Sequence, residues 1–159
     1  MKSKLKMIAL SIFASAVGGI FVGYKMNEVV VSKHEKAEQY RRMYRMMERW
    51  MRIKQNKESL EQYFIVNNYK KIAIYGFGNV GNLFFKEIND TSISVEYGMD
   101  RTPEKFSGIP MYSPSDDLPD TVDAVIVTPI IYYSEIEAAL KGTLSCPIIS
   151  LENVIYEIC

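Results

Sequence analysis

The stretch Lys71 to Gly81, KIAIYGFGNVG, constrains this chain more than any other. A short apolar run, Ile72-Ala73-Ile74-Tyr75, breaks into Gly76, Gly78 and Gly81, spaced G-x-G-x-x-G. In NVGNLFFKEI, which opens inside the motif, Val80, Leu83, Phe84, Glu87 and Ile88 keep an i, i+3, i+4 rhythm with one polar break. Strand, glycine turn, helix is the context in which this spacing carries a mechanism. Gly76 is expected to allow the tight turn, Gly78 to admit a diphosphate to the backbone, and Gly81 to let the helix sit close on its strand. The free N–H groups and positive end of that helix then face the ligand's negative charge. Gly76, Phe77, Gly78, Asn79, Val80 and Gly81 are therefore the expected cofactor contacts.

The rest of the C-terminal half fits around that turn. Ile93, Val95, Tyr97 and Met99 alternate as a period-two strand that ends in Asp100, nineteen residues beyond Gly81. An acid at the tip of a second strand is the group a dinucleotide fold uses to hold ribose hydroxyls. Arg101 follows it and could instead meet a 2′-phosphate; a plain strand-end carboxylate is the structural alternative. Val122 to Val127 is a near-continuous apolar run, as a strand buried on both faces of a parallel sheet requires. It ends in Thr128-Pro129, at the carboxyl end where ligands sit in such sheets, so these two join the expected site. A short strand is expected within Ile109 to Tyr112, a helix over Ile131 to Leu140, a strand at Pro147 to Ile149 and a closing helix over Leu151 to Ile158. The predicted class is α/β, a short parallel-sheet Rossmann-like domain with right-handed crossovers, about half of a full dinucleotide fold.

Other chemistry-bearing residues are read more plainly. Asp116, Asp117, Asp120 and Asp123 lack the glycine and glutamate of a calcium loop and have no histidine nearby, so they read as solvated loop acids. No metal site is expected. Tyr132 and Tyr133 have Ile136 and Glu137 four residues on, where a Tyr-x-x-x-Lys relay needs lysine. Cys146 reads as packing, and the only histidine, His34, stands among charges. No catalytic residue is assigned.

Charge separates the N-terminal part from this domain. Residues 1–70 carry 14 Lys/Arg against 6 Asp/Glu, and residues 71–159 carry 5 against 13, so a net charge of zero hides two unlike halves. Lys2, Lys4 and Lys6 precede Met7 to Tyr24, eighteen residues without a charge. As a helix that run is about 27 Å long, just enough to cross a bilayer core of about 30 Å. A membrane anchor is the expectation. A cleaved signal peptide, with Ala14-Ser15-Ala16 as its cleavage site, and a buried helix are the alternatives. Ser11, Ser15, Gly19 and Gly23 recur every four residues as a small-residue stripe containing GxxxG, one route to a homo-oligomer.

Residues 27–57, polar and without Pro or Gly, predict a long helix with Ala37, Tyr40, Met43, Tyr44, Met47, Trp50 and Met51 on one face. That face spans about two heptads and is a second route to self-association. Arg41, Arg42, Arg45, Arg49 and Arg52 either touch membrane lipid headgroups or form a solvated face. Nucleic acid is not an expected partner, because the basic stretch adjoins an apolar span and the domain beyond is acidic. Flanking lysines and arginines lean slightly towards a cytoplasmic C-terminal side, and so does the need for a nucleotide pool. The expected organisation is an anchor over 1–26, a charged helical linker over 27–57 and a Rossmann-like nucleotide-binding domain over 58–159, at the cell membrane in a single pass.

From about Trp50 onward the chain resembles a group of bacterial Rossmann-like domains found with capsule, exopolysaccharide and glycosyltransferase systems. The likeness to these epimerase-like and glycosyltransferase-associated domains is carried by SLEQYF, YKKIAIYGFGNVG, YGMD, GIPMYSP, VDAVIVTP and CPIISLENVIYEI, roughly two-thirds of the chain. It implies a nucleotide- or nucleotide-sugar-binding module, with cofactor contacts at the motif glycines and Asp100, and NAD(P) or a nucleotide-diphosphate sugar as ligand. Glycosyltransferases or polysaccharide-assembly proteins are the implied partners. Three functions remain open: an accessory binding module, a nucleotide-sugar epimerase or oxidoreductase acting with a partner, and a structural protein whose scaffold holds no ligand.

Overall fold

A computed structural model describes residues 33–103 and 108–158. The expected anchor Met7 to Tyr24, its GxxxG stripe and the A-x-A site lie outside the described residues. Within them, no helix is long and apolar enough to cross a membrane. The chain divides into two units, Met1–Arg42 and Met43–Cys159. In the first, residues 33–42 are helical, with an exposed ion pair between Arg41 and Glu38.

The second unit is an α/β domain. Residues 43–55 form helix α1, followed by α2 (Glu61–Val66), β1 (Lys71–Tyr75), α3 (Asn79–Asn89), β2 (Ser94–Met99) and β3 (Met111–Tyr112). Then come β4 (Ala124–Val127), a single 3-10 turn (Ile130–Tyr132), α4 (Tyr133–Leu140), β5 (Ile148–Ser150) and α5 (Leu151–Glu157). The five strands form one sheet in the order β3-β2-β1-β4-β5, and every neighbouring pair is parallel. The strands expected at Ile72 to Tyr75, Ile93 to Met99 and Val122 to Val127 appear as β1, β2 and β4, each within two residues of its expected ends. The helix expected over Ile131 to Leu140 begins instead as the 3-10 turn, where the Pro129 carbonyl accepts the Tyr132 N–H at 2.9 Å.

Alternation within β1 explains the layers. Ile72 and Ile74 face one side and Ala73 and Tyr75 the other, and all four are buried, as a sheet covered on both faces demands. On the first face, Phe84 and Ile88 of α3 meet Phe64 of α2, Leu151, Val154 and Ile155 of α5, and Met46, Trp50 and Ile53 of α1. Each of these large side chains contributes about 1.5–3 kcal/mol by leaving water. On the second face, Ile136 and Leu140 of α4 cover Tyr97, Met99, Val125 and Val127. The compact unit thus begins at Met43, fifteen residues before the boundary expected from charge and polarity, because one side of α1 is built into the core.

Since α3 and α4 lie on opposite faces, the sheet is wound in both directions from its centre. The order reverses between β1 and β4, whose carboxyl ends carry Gly76 and Thr128. At the other end of the same pair, Asp123 Oδ2 accepts the N–H groups of Lys70 and Lys71 at 2.7 and 2.8 Å, tying the start of β1 to that of β4.

Candidate functional site

The point where strand order reverses is where open α/β sheets leave a crevice. Here the three motif glycines meet three different environments. Gly76 has φ of +93°, and a Cβ on it would stand 2.6 Å from the Pro129 ring. Only glycine combines that dihedral with that contact. Gly81 lies in the first turn of α3, and its absent Cβ would sit 1.9 Å from the Gly76 carbonyl oxygen. The helix therefore rests directly on the turn. At Gly78, the N-cap of α3, a Cβ would meet no heavy atom within 4 Å, so the space in front of this backbone is open.

The side chains around the turn fix its path. Phe77 does not cover the opening at Gly78: its ring lies against β2, where a Cβ on Gly98 would be 2.4 Å from Phe77 Cε2, and 5.9 Å from the Phe85 ring. Asp100 reaches back from the end of β2, and its Oδ2 accepts the Phe77 N–H at 3.0 Å while Oδ1 accepts the Thr102 N–H at 3.3 Å. Thr128, buried beneath, donates its hydroxyl to the Gly76 carbonyl at 2.6 Å. Pro129 packs on Gly76. Asn82, which sequence reasoning did not select, donates its side-chain amide to the carbonyls of Phe77 at 2.7 Å and Gly78 at 3.1 Å. Its position four residues after Gly78 on a helical rhythm was the available signal.

The structure thus gathers Gly76, Phe77, Gly78, Asn79, Val80, Gly81, Asp100, Thr128 and Pro129 around one turn. Gly78 and Asn79 are exposed, and Asp100 is half-buried. Arg101 is exposed on the neighbouring loop, whose residues 104–107 lie outside the described part. Three carbonyls of the turn are taken by Thr128 and Asn82, so the surface around Gly78 is biased towards donors. Such a surface with a helix's amino end behind it accommodates a phosphate group. Asp100 opposes this by bringing a carboxylate to the same turn. Thr128 and Pro129 act through packing and through the hydroxyl donated to Gly76.

The remaining candidates are dispersed. Asp116 accepts the Ser113 N–H, Asp120 the Ser145 hydroxyl, and Asp123 the two lysine N–H groups at the far end of the sheet. Those two backbone hydrogen bonds hold the Asp123 carboxyl below its ordinary value. No group of three or more His, Cys, Asp and Glu among the described residues could hold a metal ion. Tyr133 donates its hydroxyl to the Ile148 carbonyl at 2.9 Å, and burial, then Glu137, push its pKa up. Burial likewise raises the Cys146 thiol, half-buried beside Tyr97 and Leu144. Both are poor starting points for proton transfer or attack near neutral pH.

Comparison with known proteins returns no match: no family model, no curated protein and no solved structure resembles this chain at a significant level.

Proposed function

We propose that this protein is a membrane-tethered, Rossmann-like nucleotide-binding module, with Met7 to Tyr24 as its single span and the domain on the cytoplasmic side. Its glycine turn receives the diphosphate of NAD(P) or of a nucleotide-diphosphate sugar, and it serves envelope polysaccharide synthesis beside glycosyltransferase or assembly proteins. The observation that carries the binding reading is the open space at Gly78, set between two glycines that are fully enclosed. The polysaccharide context rests on the sequence motifs described above, and self-association through the GxxxG stripe or α1 belongs to the same reading.

Asp100 favours a second reading, a structural protein with a ligand-free scaffold, because its carboxylate already takes the Phe77 N–H that a ligand would use. Calorimetric titration of the full chain with NAD, NADP, a nucleotide-sugar and coenzyme A separates the two. Binding by one ligand, abolished in a Gly78→Val variant that still unfolds cooperatively, supports the module. Silence across the panel supports the scaffold, and turnover of a sugar nucleotide would make the chain an enzyme.

A further inference from the structure

The α1 helix has three faces. At about 100° per residue, Met46, Trp50 and Ile53 share the face that enters the core. Roughly a third of a turn round, Tyr44, Met47 and Met51 form an apolar strip, with Tyr44 69% and Met51 59% exposed. A further third of a turn brings Arg45, Glu48 and Arg52, all exposed. A shallow hollow along this outward side is lined by residues of 44–56, and nothing among the described residues covers it. Leu83 of α3, half exposed, continues the apolar strip across a groove of about 180 Å³ that Trp50 and Met51 also line.

We propose that this outward side of α1 docks on an anionic lipid surface, a proposal that rests on the membrane placement above but not on the nucleotide site. Charge selects the occupant. The outward side carries Arg45 and Arg52 with Glu48, and Glu48 pairs with Arg52. Of the other cations Lys54 pairs with Glu87 and Arg49 donates to the Ile158 carbonyl, yet residues 43–57 still hold five Lys/Arg against one Glu, whereas residues 58–159 hold six against fifteen Asp/Glu. An anionic surface therefore attracts this one edge of the domain and repels the body behind it. The side chains suit the boundary between headgroups and acyl chains: tyrosine and methionine enter the apolar edge while the neighbouring arginines stay at phosphate level. Chain length agrees, since only nineteen residues separate the uncharged run Met7 to Tyr24 from Tyr44.

Trp50 is the only tryptophan and lies in the groove beside Met51, so its fluorescence reports on this face. The full chain is reconstituted into nanodiscs of acyl-brominated phosphatidylcholine, with or without about a third phosphatidylserine, the negative component that basic helices seek. Trp50 quenching in the anionic discs is expected to be at least threefold stronger than in the neutral ones. The contrast should vanish in the Arg45→Glu/Arg52→Glu variant and at high salt, with thermal unfolding only slightly lowered, because both side chains are exposed and the Arg52–Glu48 pair that is lost is a surface one. Equal quenching in the two lipids overturns the proposal, as does absence of quenching in a chain that stays with the anionic discs. A disulfide between Met51→Cys copies that the unsubstituted chain does not form, without quenching, assigns the face to a second copy and overturns it too. Failure to join either disc removes the membrane placement as well.

Discussion

Two glycines of one motif, three residues apart, are held by opposite constraints. Adding a methyl at Gly81 drives it into the Gly76 carbonyl at 1.9 Å, so Gly81→Ala must push α3 off the end of β1. A loss of about 2–3 kcal/mol is expected, as for an overpacked core. Gly78→Ala meets open space and has an ordinary φ of −66°, so its cost should stay within about 1 kcal/mol, the range for an N-cap glycine replaced by alanine. Denaturant unfolding of the two variants checks this, and equal losses would refute the division of roles. At the opposite end of the sheet, Asp123 carries a pH signature. Its folded-state pKa lies below the unfolded value near 4, so its stabilisation is present above that value and is lost as pH falls through the lower one. Asp123→Asn should therefore be less stable than the natural chain at pH 6, with the gap closing below about pH 4. The side chain is exposed, and the difference will be modest. Glycine roles were legible because the motif is local in sequence. The partners of Asp123 and Thr128 were not, since each depends on where a backbone turn lies once strands are paired, whereas those of Asn82 are local and could have been read from its spacing after Gly78.

At the level of elements, α1 departs most from its reading. Its apolar positions predict one face containing Tyr44, Met47, Trp50 and Met51, but the structure divides them. Trp50 joins Met46 and Ile53 in the core, and Tyr44 and Met51 remain exposed. Helical periodicity shows that an apolar stripe exists; the neighbour decides which edge of it is covered. That neighbour is α3, where Glu87 accepts the Trp50 indole N–H at 2.8 Å and pairs with Lys54 at 3.0 Å. Trp50→Phe, which keeps most of the packing, should cost about 1.5–3 kcal/mol for the lost hydrogen bond to the Glu87 carboxylate, and Trp50→Ala about 3–5 kcal/mol. A chain beginning at residue 58 loses Met46, Trp50 and Ile53 from the core together, and is expected to show no cooperative thermal transition where one beginning at Met43 does. Strands β1 and β4 were legible because both faces are buried and their sequences are apolar throughout. The two residues of β3 were harder to place, since they pair only with the edge of β2.

For the whole molecule, ligand binding and folding are linked. A nucleotide held only by the folded turn raises stability by about 2.7 kcal/mol at a concentration one hundred times its dissociation constant. A thermal-shift panel on the full chain should therefore show one nucleotide class raising the melting temperature, and Gly78→Val should erase that rise while costing the unliganded fold only about 1 kcal/mol. A rise that survives the substitution would place the ligand elsewhere. The sequence by itself determined that a glycine turn lies between a buried strand and a helix, and that acid-rich and base-rich segments follow one another. Those features depend on spacing and composition along a few neighbouring residues. Only the tertiary structure decided that β4 settles beside β1, so that Pro129 and Thr128 close over Gly76 and leave Gly78 as the opening. It also decided that half of a charged helix belongs to the core. Both outcomes come from surfaces meeting across some forty to fifty residues of chain, where burial on one side of an element is set by what packs against it.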